Sequence, residues 1–445
     1  TAMLAFLFTG LYKLMNTLSE LKAGKLAGAK HLQLVEQLSE FPTDIFKLAD
    51  TLEVLDLSNN NLSDLPDEFA CLHRLKRVFL SFNQFKHIPT VLAKCPALIM
   101  VAFKGNQISQ FAPNSLPKNI EWLILTDNNL HELPDDFGNY SQLKKLALAG
   151  NNLKNLPISM ANCTSLELVR LSANSLIKLD DWLLELPKLA WLAFAGNDFN
   201  KAQCLTKSTL KNTPLEKFQL KKVIGQGASG VIHLAKAERN NVAVKLFKGA
   251  ITSDGYPLDE VNCCLQAANH ANLIKVLSYI EQSEQLGLVM ELIDTNYTNL
   301  GLPPSLETCT RDTFNDGCNY SIEAVYKIAK QMANTLTHLH TNKVSHGDIY
   351  AHNTMINEHY DVLFGDFGAA TNLAMLSEYQ QQQIQLIEVR AFGCLIEDLL
   401  STVSAAVKQD ELFGKMSDIA TRSTNSVIAS RPSFKALSTL LNELV

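Results

Sequence analysis

From residue 31 onward the apolar positions recur at a long, fixed interval. Asn60, Asn83, Asn106, Asn128, Asn151, Asn174 and Asn197 are spaced 23, 23, 22, 23, 23 and 23 residues apart, each preceded by an apolar-x-apolar triplet and followed two residues later by another apolar side chain. In Leu55-x-Leu57-x-x-Asn60-x-Leu62-x-x-Leu65-Pro66 this pattern predicts one short strand per repeat, with the leucines filling the interior of a stacked solenoid. The asparagine amide both donates and accepts, so it can satisfy backbone groups where the chain turns behind each strand. A ladder at constant period is what stacking requires, and these asparagines read as structural. A degenerate copy at Leu32 to Pro42 is expected to cap the array.

After residue 215 the period disappears and strand-like runs take over, at Phe218 to Ile224, Val231 to Leu234, Val242 to Val244 and Leu288 to Ile293. Between the first two lies Gly225-Gln226-Gly227-Ala228-Ser229-Gly230. Glycines in such a turn let backbone N–H groups approach a polyphosphate. A dinucleotide fingerprint would need a helix after the third glycine and an acidic residue about 20 positions on. Here a β-rich run ending in Lys245 follows instead.

His346-Gly347-Asp348-Ile349-Tyr350-Ala351-His352-Asn353 is followed, thirteen residues after Asn353, by Asp366-Phe367-Gly368. In-line transfer of a phosphoryl group needs a carboxylate to orient the attacking hydroxyl and oxygen ligands to hold Mg²⁺ against the phosphates. Asp348 suits the first task, and Asn353 and Asp366 suit the second. A glycine turn alone is a weak signal. The turn, Val-Ala-Val-Lys, His-x-Asp-(x)4-Asn and Asp-Phe-Gly in this order form a specific one.

On these motifs residues 216–445 resemble a eukaryotic-type protein kinase domain, and the periodic half resembles a leucine-rich-repeat array. The chain as a whole resembles bacterial leucine-rich-repeat protein kinases. The resemblance implies an α/β leucine-rich-repeat solenoid followed by an α+β two-lobed kinase-like domain. The expected limits are an N-terminal extension or cap at 1–30, repeats at 31–200, a linker at 201–215, an N-lobe at 216–290 and a C-lobe at 294–445. It also implies ATP and Mg²⁺ as cofactors. Lys245 would hold the α- and β-phosphates, and Glu260, with Asp259 as the lesser candidate, would pair with it from the helix that follows. Asp348 would be the catalytic base, and Asn353 and Asp366 the metal ligands. Gly225, Gly227, Ser229, Gly230, Ile232 and Ala243 would surround the nucleotide. Met290 would be the gatekeeper, and the backbone from Glu291 to Ile293 would meet the adenine.

The departures from the family pattern carry their own expectations. Gly347 stands where many kinases place an arginine that pairs with a phosphorylated activation loop, so regulation by loop phosphorylation is not expected. Only nineteen residues separate Gly368 from Glu388, without Ala-Pro-Glu. Leu376-Ser377-Glu378 is the nearest substitute, with Glu378 expected to pair with Arg431. His-Gly-Asp also resembles the spelling of aminoglycoside and choline phosphotransferases, which makes a small-molecule phosphotransferase the alternative function. A nucleotide-binding pseudokinase scaffold is a third. Tyr350, two after Asp348, is neither the lysine usual in serine/threonine kinases nor the alanine usual in tyrosine kinases. A serine or threonine acceptor is the expectation.

Aligned on the asparagine ladder, Phe79, Met100, Trp122, Ile124 and Trp191 fall on outward positions of successive strands. They predict an exposed apolar stripe that binds a protein partner, or the chain's own kinase domain; the plainer reading is that neighbours half bury the first row. The linker is short, with Lys201, Lys207 and Lys211 and no Gly/Ser bias, so it is not a free tether. Thr295 to Tyr320 reads as either a solvated surface loop or a wall of the substrate site.

Composition adds exclusions. A chain of 445 residues, 47% hydrophobic, is long enough for two cores. A formal net charge of −6 with no long basic run suggests neither nucleic acid nor an anionic membrane as partner. Nine cysteines without zinc spacing read as reduced thiols of a cytoplasmic protein. The apolar run Met3 to Phe8 is too short to cross a bilayer, and Met15 reads as the natural start.

Overall fold

The computed structural model describes residues 16–444 apart from 203, 206–208, 228, 239, 250, 252–253 and 283–284. The apolar run at 3–8, Met15, Lys207 and Ala228 lie outside the described residues. Two compact units are present, one ending at Leu186 and the other holding Pro187–Val445. Among the described residues no helix is long and apolar enough to cross a membrane, and all nine cysteines are free thiols.

The first unit opens with a short helix, Leu18–Lys22, started by a reciprocal capping box between Thr17 and Glu20. Seven three-residue strands follow: β1 His31–Gln33, β2 Val54–Asp56, β3 Arg77–Phe79, β4 Met100–Ala102, β5 Trp122–Ile124, β6 Lys145–Ala147 and β7 Leu168–Arg170. They pair in parallel and in chain order, with Arg77 opposite Met100, Met100 opposite Trp122 and Trp122 opposite Lys145. Each strand's central residue points inward and is fully buried, as Leu55, Val78, Val101, Leu123, Leu146 and Val169 are. The asparagines do what their chemistry predicts. Asn128 donates to Phe103 O (2.9 Å) and Leu125 O (3.0 Å) while its Oδ1 accepts from Ile108 N (2.9 Å). Asn83 repeats the arrangement two repeats earlier.

The expected exposed stripe is not found. Phe79, Met100, Trp122 and Ile124 are 9%, 2%, 3% and 8% exposed. Strands this short lie about 4.8 Å apart, so a long side chain on one strand covers a ring on the next. Lys145 Nζ sits 4.2 Å from the centre of the Trp122 ring.

The second unit begins with β8, Trp191–Ala193, and then builds an antiparallel sheet from β9 Phe218–Gln226, β10 Gly230–Ala237, β11 Asn240–Phe247, β12 Val276–Gln282 and β13 Gln285–Glu291. The strand order is β12-β13-β11-β10-β9. Ala235, Val242, Val244, Ile280 and Val289 form a core on one face. Phe247 and Leu288 meet Val261 and Leu265 of the helix Pro257–Ala267 on the other. The linker is docked rather than free: Leu205 and Leu210 pack against that second core, and Thr213 N donates to Tyr279 O on β12 (2.8 Å).

Helices dominate the remainder. Ile322–Thr341 buries Ile322, Val325, Ala329, Met332, Leu336 and Leu339 along one stripe and is capped by Ser321. Glu378–Ser401 starts at the expected Ala-Pro-Glu substitute: Ser377 forms a capping box with Gln380. Leu376-Ser377-Glu378 is therefore a helix start, and Glu378 is exposed there. Arg431 turns to backbone carbonyls instead of Glu378, donating to Leu386 O (3.0 Å), Asn425 O (2.8 Å) and Pro187 O (2.7 Å).

The asparagine ladder makes a direct prediction. Asn128→Ala would strand several buried backbone groups, each costing about 1–3 kcal/mol. The urea midpoint of the repeat transition should fall clearly, whereas exposed Asn129→Ala should stay within about 0.5 kcal/mol of the parent.

Candidate functional site

Short strands set out the cleft. β9 and β10 flank the glycine turn, β11 delivers Lys245, and β13 runs into the connection at Glu291. Below them Val344 to Ala351 are all buried. A strand at Thr354–Ile356 pairs with Val362–Phe364 to carry the chain from Asn353 to Asp366. The cavity between them is an open cleft of about 540 Å³, within the range of small-ligand sites.

Sequence-expected residues meet in this cavity. Gly227, Ser229, Gly230, Ile232 and Ala243 line it, as do Met290, Glu291 and Ile293. Lys245, Glu260, Asn353 and Asp366 line the same cavity. Gly225 does not: it sits in β9 paired with Ile232. Asp348, 7% exposed, stands behind Asn353, whose Nδ2 donates to Asp348 Oδ2 (2.9 Å) and to its backbone O (3.0 Å).

Lys245 Nζ makes a short ion pair with Glu260 Oε1. Burial opposes charge on both partners and pushes the Glu260 carboxyl up. On Lys245 that penalty is outweighed by Glu260 and then Asp366, which hold the ammonium above its ordinary range. The direct contact is that of an ammonium and a carboxylate, and we assign the ionised pair. Asp259 is not its partner. It lies at the other side of the helix, where Gly196 (φ +76°) is packed so closely that an added Cβ would sit 2.5 Å from Tyr256 and 2.8 Å from Asp259. Asn262 on the same helix donates to Cys204 O (3.2 Å), and Lys201 covers the Tyr256 ring at 5.1 Å. The segment leading into the sheet thus grips the helix that carries Glu260.

The loop from His346 to Asn353 is fixed from several directions. His346, fully buried between Phe364 and Phe367, is held neutral by burial, which outweighs the pull of Glu388 and Asp348. Its Nε2 lies 2.9 Å from Gly365 O, so the Nε2–H tautomer ties the loop to the residue before Asp366. Gly347 has φ +72°, and a Cβ there would lie 2.6 Å from Ala369 O and 2.9 Å from Leu192 O. That is the steric reason no arginine occupies this position. Its N–H donates to Glu388 Oε1 (2.6 Å), whose other oxygen meets His340 Nε2 (2.5 Å).

Trp191 was expected on an open stripe and is instead 2% exposed. Its ring stacks on Tyr350 at 4.7 Å and 4°, and its Nε1 donates to Ile349 O (3.0 Å). Periodicity placed it on an outward row but could not say which surface that row would meet. The segment after Gly368 is short and folded, with Thr371–Asn372 paired to Val344–Ser345 and Leu373 and Leu376 buried.

Sequence reasoning also missed Asp312 and His352. The stretch 295–320 is exposed at both ends, as at 295–296 and 315–317, but buried in places between, with Thr310 and Asp312 1% and 7% exposed. His352 lines the cavity beside Asn353, and nothing in its motif spacing announced that.

The model "Protein kinase domain" matches residues 218–386, and "Leucine rich repeat" matches residues 31–85 and 118–176. The chain is similar to the CTD kinase subunit alpha of Schizosaccharomyces pombe, 23% identical over 212 residues, 42% of this chain and 34% of that protein. Mitogen-activated protein kinase mpkB of Aspergillus fumigatus is 26% identical over 223 residues, 42% and 57% of the two chains. Serine/threonine-protein kinase DCLK2 of Homo sapiens is 29% identical over 179 residues, 39% and 21%. The matches thus span from about a fifth to somewhat over half the length of these relatives. The chain carries leucine-rich repeats followed by a protein kinase domain. These relatives are eukaryotic and lend no support to the bacterial kinship expected from the sequence.

Two outcomes follow from the packing. Trp191→Ala should lower the stability of the second unit by about 3–5 kcal/mol, read as a drop in its thermal midpoint. Asp259 is pushed up to about 6 by burial, against the pull of the Ala202 amide and Lys201. Its folded-state value lies above the unfolded one, so it costs stability as pH rises through this range, and the cost is complete above it. Asp259→Asn should therefore stabilise by about 3 kcal/mol at pH 8 and by almost nothing at pH 3 in urea denaturation.

Proposed function

We propose that this chain is an ATP- and Mg²⁺-dependent protein kinase that transfers the γ-phosphoryl group to a serine or threonine hydroxyl. In this reading repeats at 31–200 recognise protein, 201–215 joins the parts and 216–445 performs the chemistry. The observation that carries the proposal is the convergence of the Lys245–Glu260 pair, Asn353 and Asp366 on one cavity with Asp348 hydrogen-bonded behind them.

Each residue has a task its surroundings prepare. Lys245, held charged by Glu260, meets the α- and β-phosphates. The glycine turn, whose Gly227, Ser229 and Gly230 line the cavity, covers the phosphates, and the Glu291 to Ile293 backbone edges the adenine. Asn353 spends its Nδ2 on Asp348, which leaves its amide oxygen as the metal donor, and Asp366 lines the same cavity. These hard oxygen donors fit Mg²⁺, which when bound would neutralise charge on the transferring phosphates. Asp348, fixed by Asn353, accepts the proton of the attacking hydroxyl. The acceptor oxygen bonds to the γ-phosphorus, the bond to the β–γ bridging oxygen breaks, and ADP leaves with that electron pair.

One observation favours the second reading, a small hydroxylated acceptor. Five of the nine residues from Ala369 to Ser377 are buried, and Trp191 stacks on Tyr350, which limits the open surface for a peptide. Incubation with γ-labelled ATP and Mg²⁺, with either a generic protein or an aminoglycoside or choline as acceptor, separates the two. Label in protein supports the main reading and label in the small molecule the second. Nucleotide binding without transfer to either would reduce the domain to a scaffold.

Asp348→Asn and Asp366→Ala should both lower turnover by about a thousandfold or more, but only Asp366→Ala should strongly weaken Mg²⁺-nucleotide binding by calorimetry. Near-native turnover in Asp348→Asn at saturating ATP and acceptor would remove Asp348 as the base.

A further inference from the structure

One buried carboxylate outside every motif grips the loop that would do the chemistry. Asp312 Oδ2 accepts from the Ala351 backbone N–H at 2.5 Å, and Asp312 Oδ1 lies 2.7 Å from His352 Nδ1. Both partners lie between Asp348 and Asn353 in sequence. The carboxylate is itself held. Thr313 and Leu302 exchange backbone hydrogen bonds at 2.7 and 3.0 Å, and Arg311 binds Asp398 Oδ1 (2.7 Å) and Cys394 O (2.9 Å) on the helix Glu378–Ser401. Asp312 thus projects from an anchored segment, not a mobile one.

We propose that Asp312 is a positioning residue for phosphoryl transfer, setting the backbone between Asp348 and Asn353 and the orientation of His352 at the cavity wall. The inference rests on the transferase reading. The physical argument is one of spacing and cost. A buried backbone N–H needs an acceptor, and a loop so short cannot shift at Ala351 without moving the side chains at 348 and 353. With Asp312 ionised, His352 donates through Nδ1, and its Nε2 is left as an acceptor. His352 borders the cavity beside Asn353, so the same carboxylate determines which face of the imidazole a hydroxyl or phosphate would meet. A misplacement of about 1 Å at a reacting group can cost on the order of a hundredfold in rate.

The test compares Asp312→Ala, Asp312→Asn and Asp312→Glu in the full chain, with His352→Gln as a second probe. Turnover with γ-labelled ATP, KM for ATP, thermal midpoint and ¹⁵N shifts of the His352 ring are read together. Asp312→Ala should lower kcat by about thirtyfold or more while KM for ATP changes less than threefold, because the nucleotide contacts at Lys245 and the glycine turn are untouched. Asp312→Asn, which keeps an acceptor for the Ala351 N–H, should fall in between, and its His352 ring shifts should leave the Nδ1–H tautomer. If Asp312→Ala does not fold, Asp312→Asn and His352→Gln decide. Unchanged kcat in folded Asp312→Ala or Asp312→Asn, or kcat and KM lost together with folding in all of the variants, would overturn the inference while leaving the transferase reading intact. A parent protein with no turnover on any acceptor would overturn the transferase reading instead, and this inference with it.

Discussion

A buried loop must have its backbone groups paired from elsewhere, and the second unit is organised around that constraint. Val344 to Ala351 are covered throughout. Within that stretch the Gly347 N–H goes to Glu388, the Ala351 N–H to Asp312 and the Ile349 carbonyl to Trp191. Three segments far apart in the chain each spend a side chain on one loop. Leaving any of these groups unpaired would cost about 1–3 kcal/mol. Glu388 and Asp312 are worth burying because each also meets a histidine, His340 and His352 respectively.

The same economy explains the departures from the kinase pattern. At position 347 the left-handed backbone and the nearby carbonyls of Ala369 and Leu192 leave no space for a Cβ, so the arginine that would read a phosphorylated loop is excluded by packing. The segment after Asp366 is correspondingly short, tied down by a two-residue strand pair and two buried leucines. A site that needs no loop arginine needs no long loop to approach it. The Lys245–Glu260 pair is formed with its helix gripped by Asn262 and Tyr256 against residues 196–204, which makes the approach to the kinase sheet part of the site's support.

The repeat unit obeys a simpler rule. Its strands are three residues long, and their inward side chains and asparagine amides repeat at the same depth. Stability in such an array comes from nearest-neighbour stacking. Outward residues are free to vary in type, but the close strand spacing lets Lys145 cover Trp122, so an apolar residue on the outward row need not be an exposed one.

Periodicity and motif order made the architecture legible, because a 23-residue repeat and a fixed order of short motifs are local patterns that each encode one physical need. Lys245, Glu260, Asn353 and Asp366 could be named from the chain for that reason, and the structure brings them to one cavity. Trp191, Asp312 and Glu378 could not be placed in the same way. Trp191 is 158 residues from the carbonyl it binds and Asp312 is 39 from its amide, and Glu378 stands at a helix start while Arg431 finds carbonyls instead. Local sequence determines which groups a segment offers, since spacing along a strand or helix fixes which side chains share a face. Which of those groups become partners depends on distances set by packing between remote segments, and only the tertiary structure decides them.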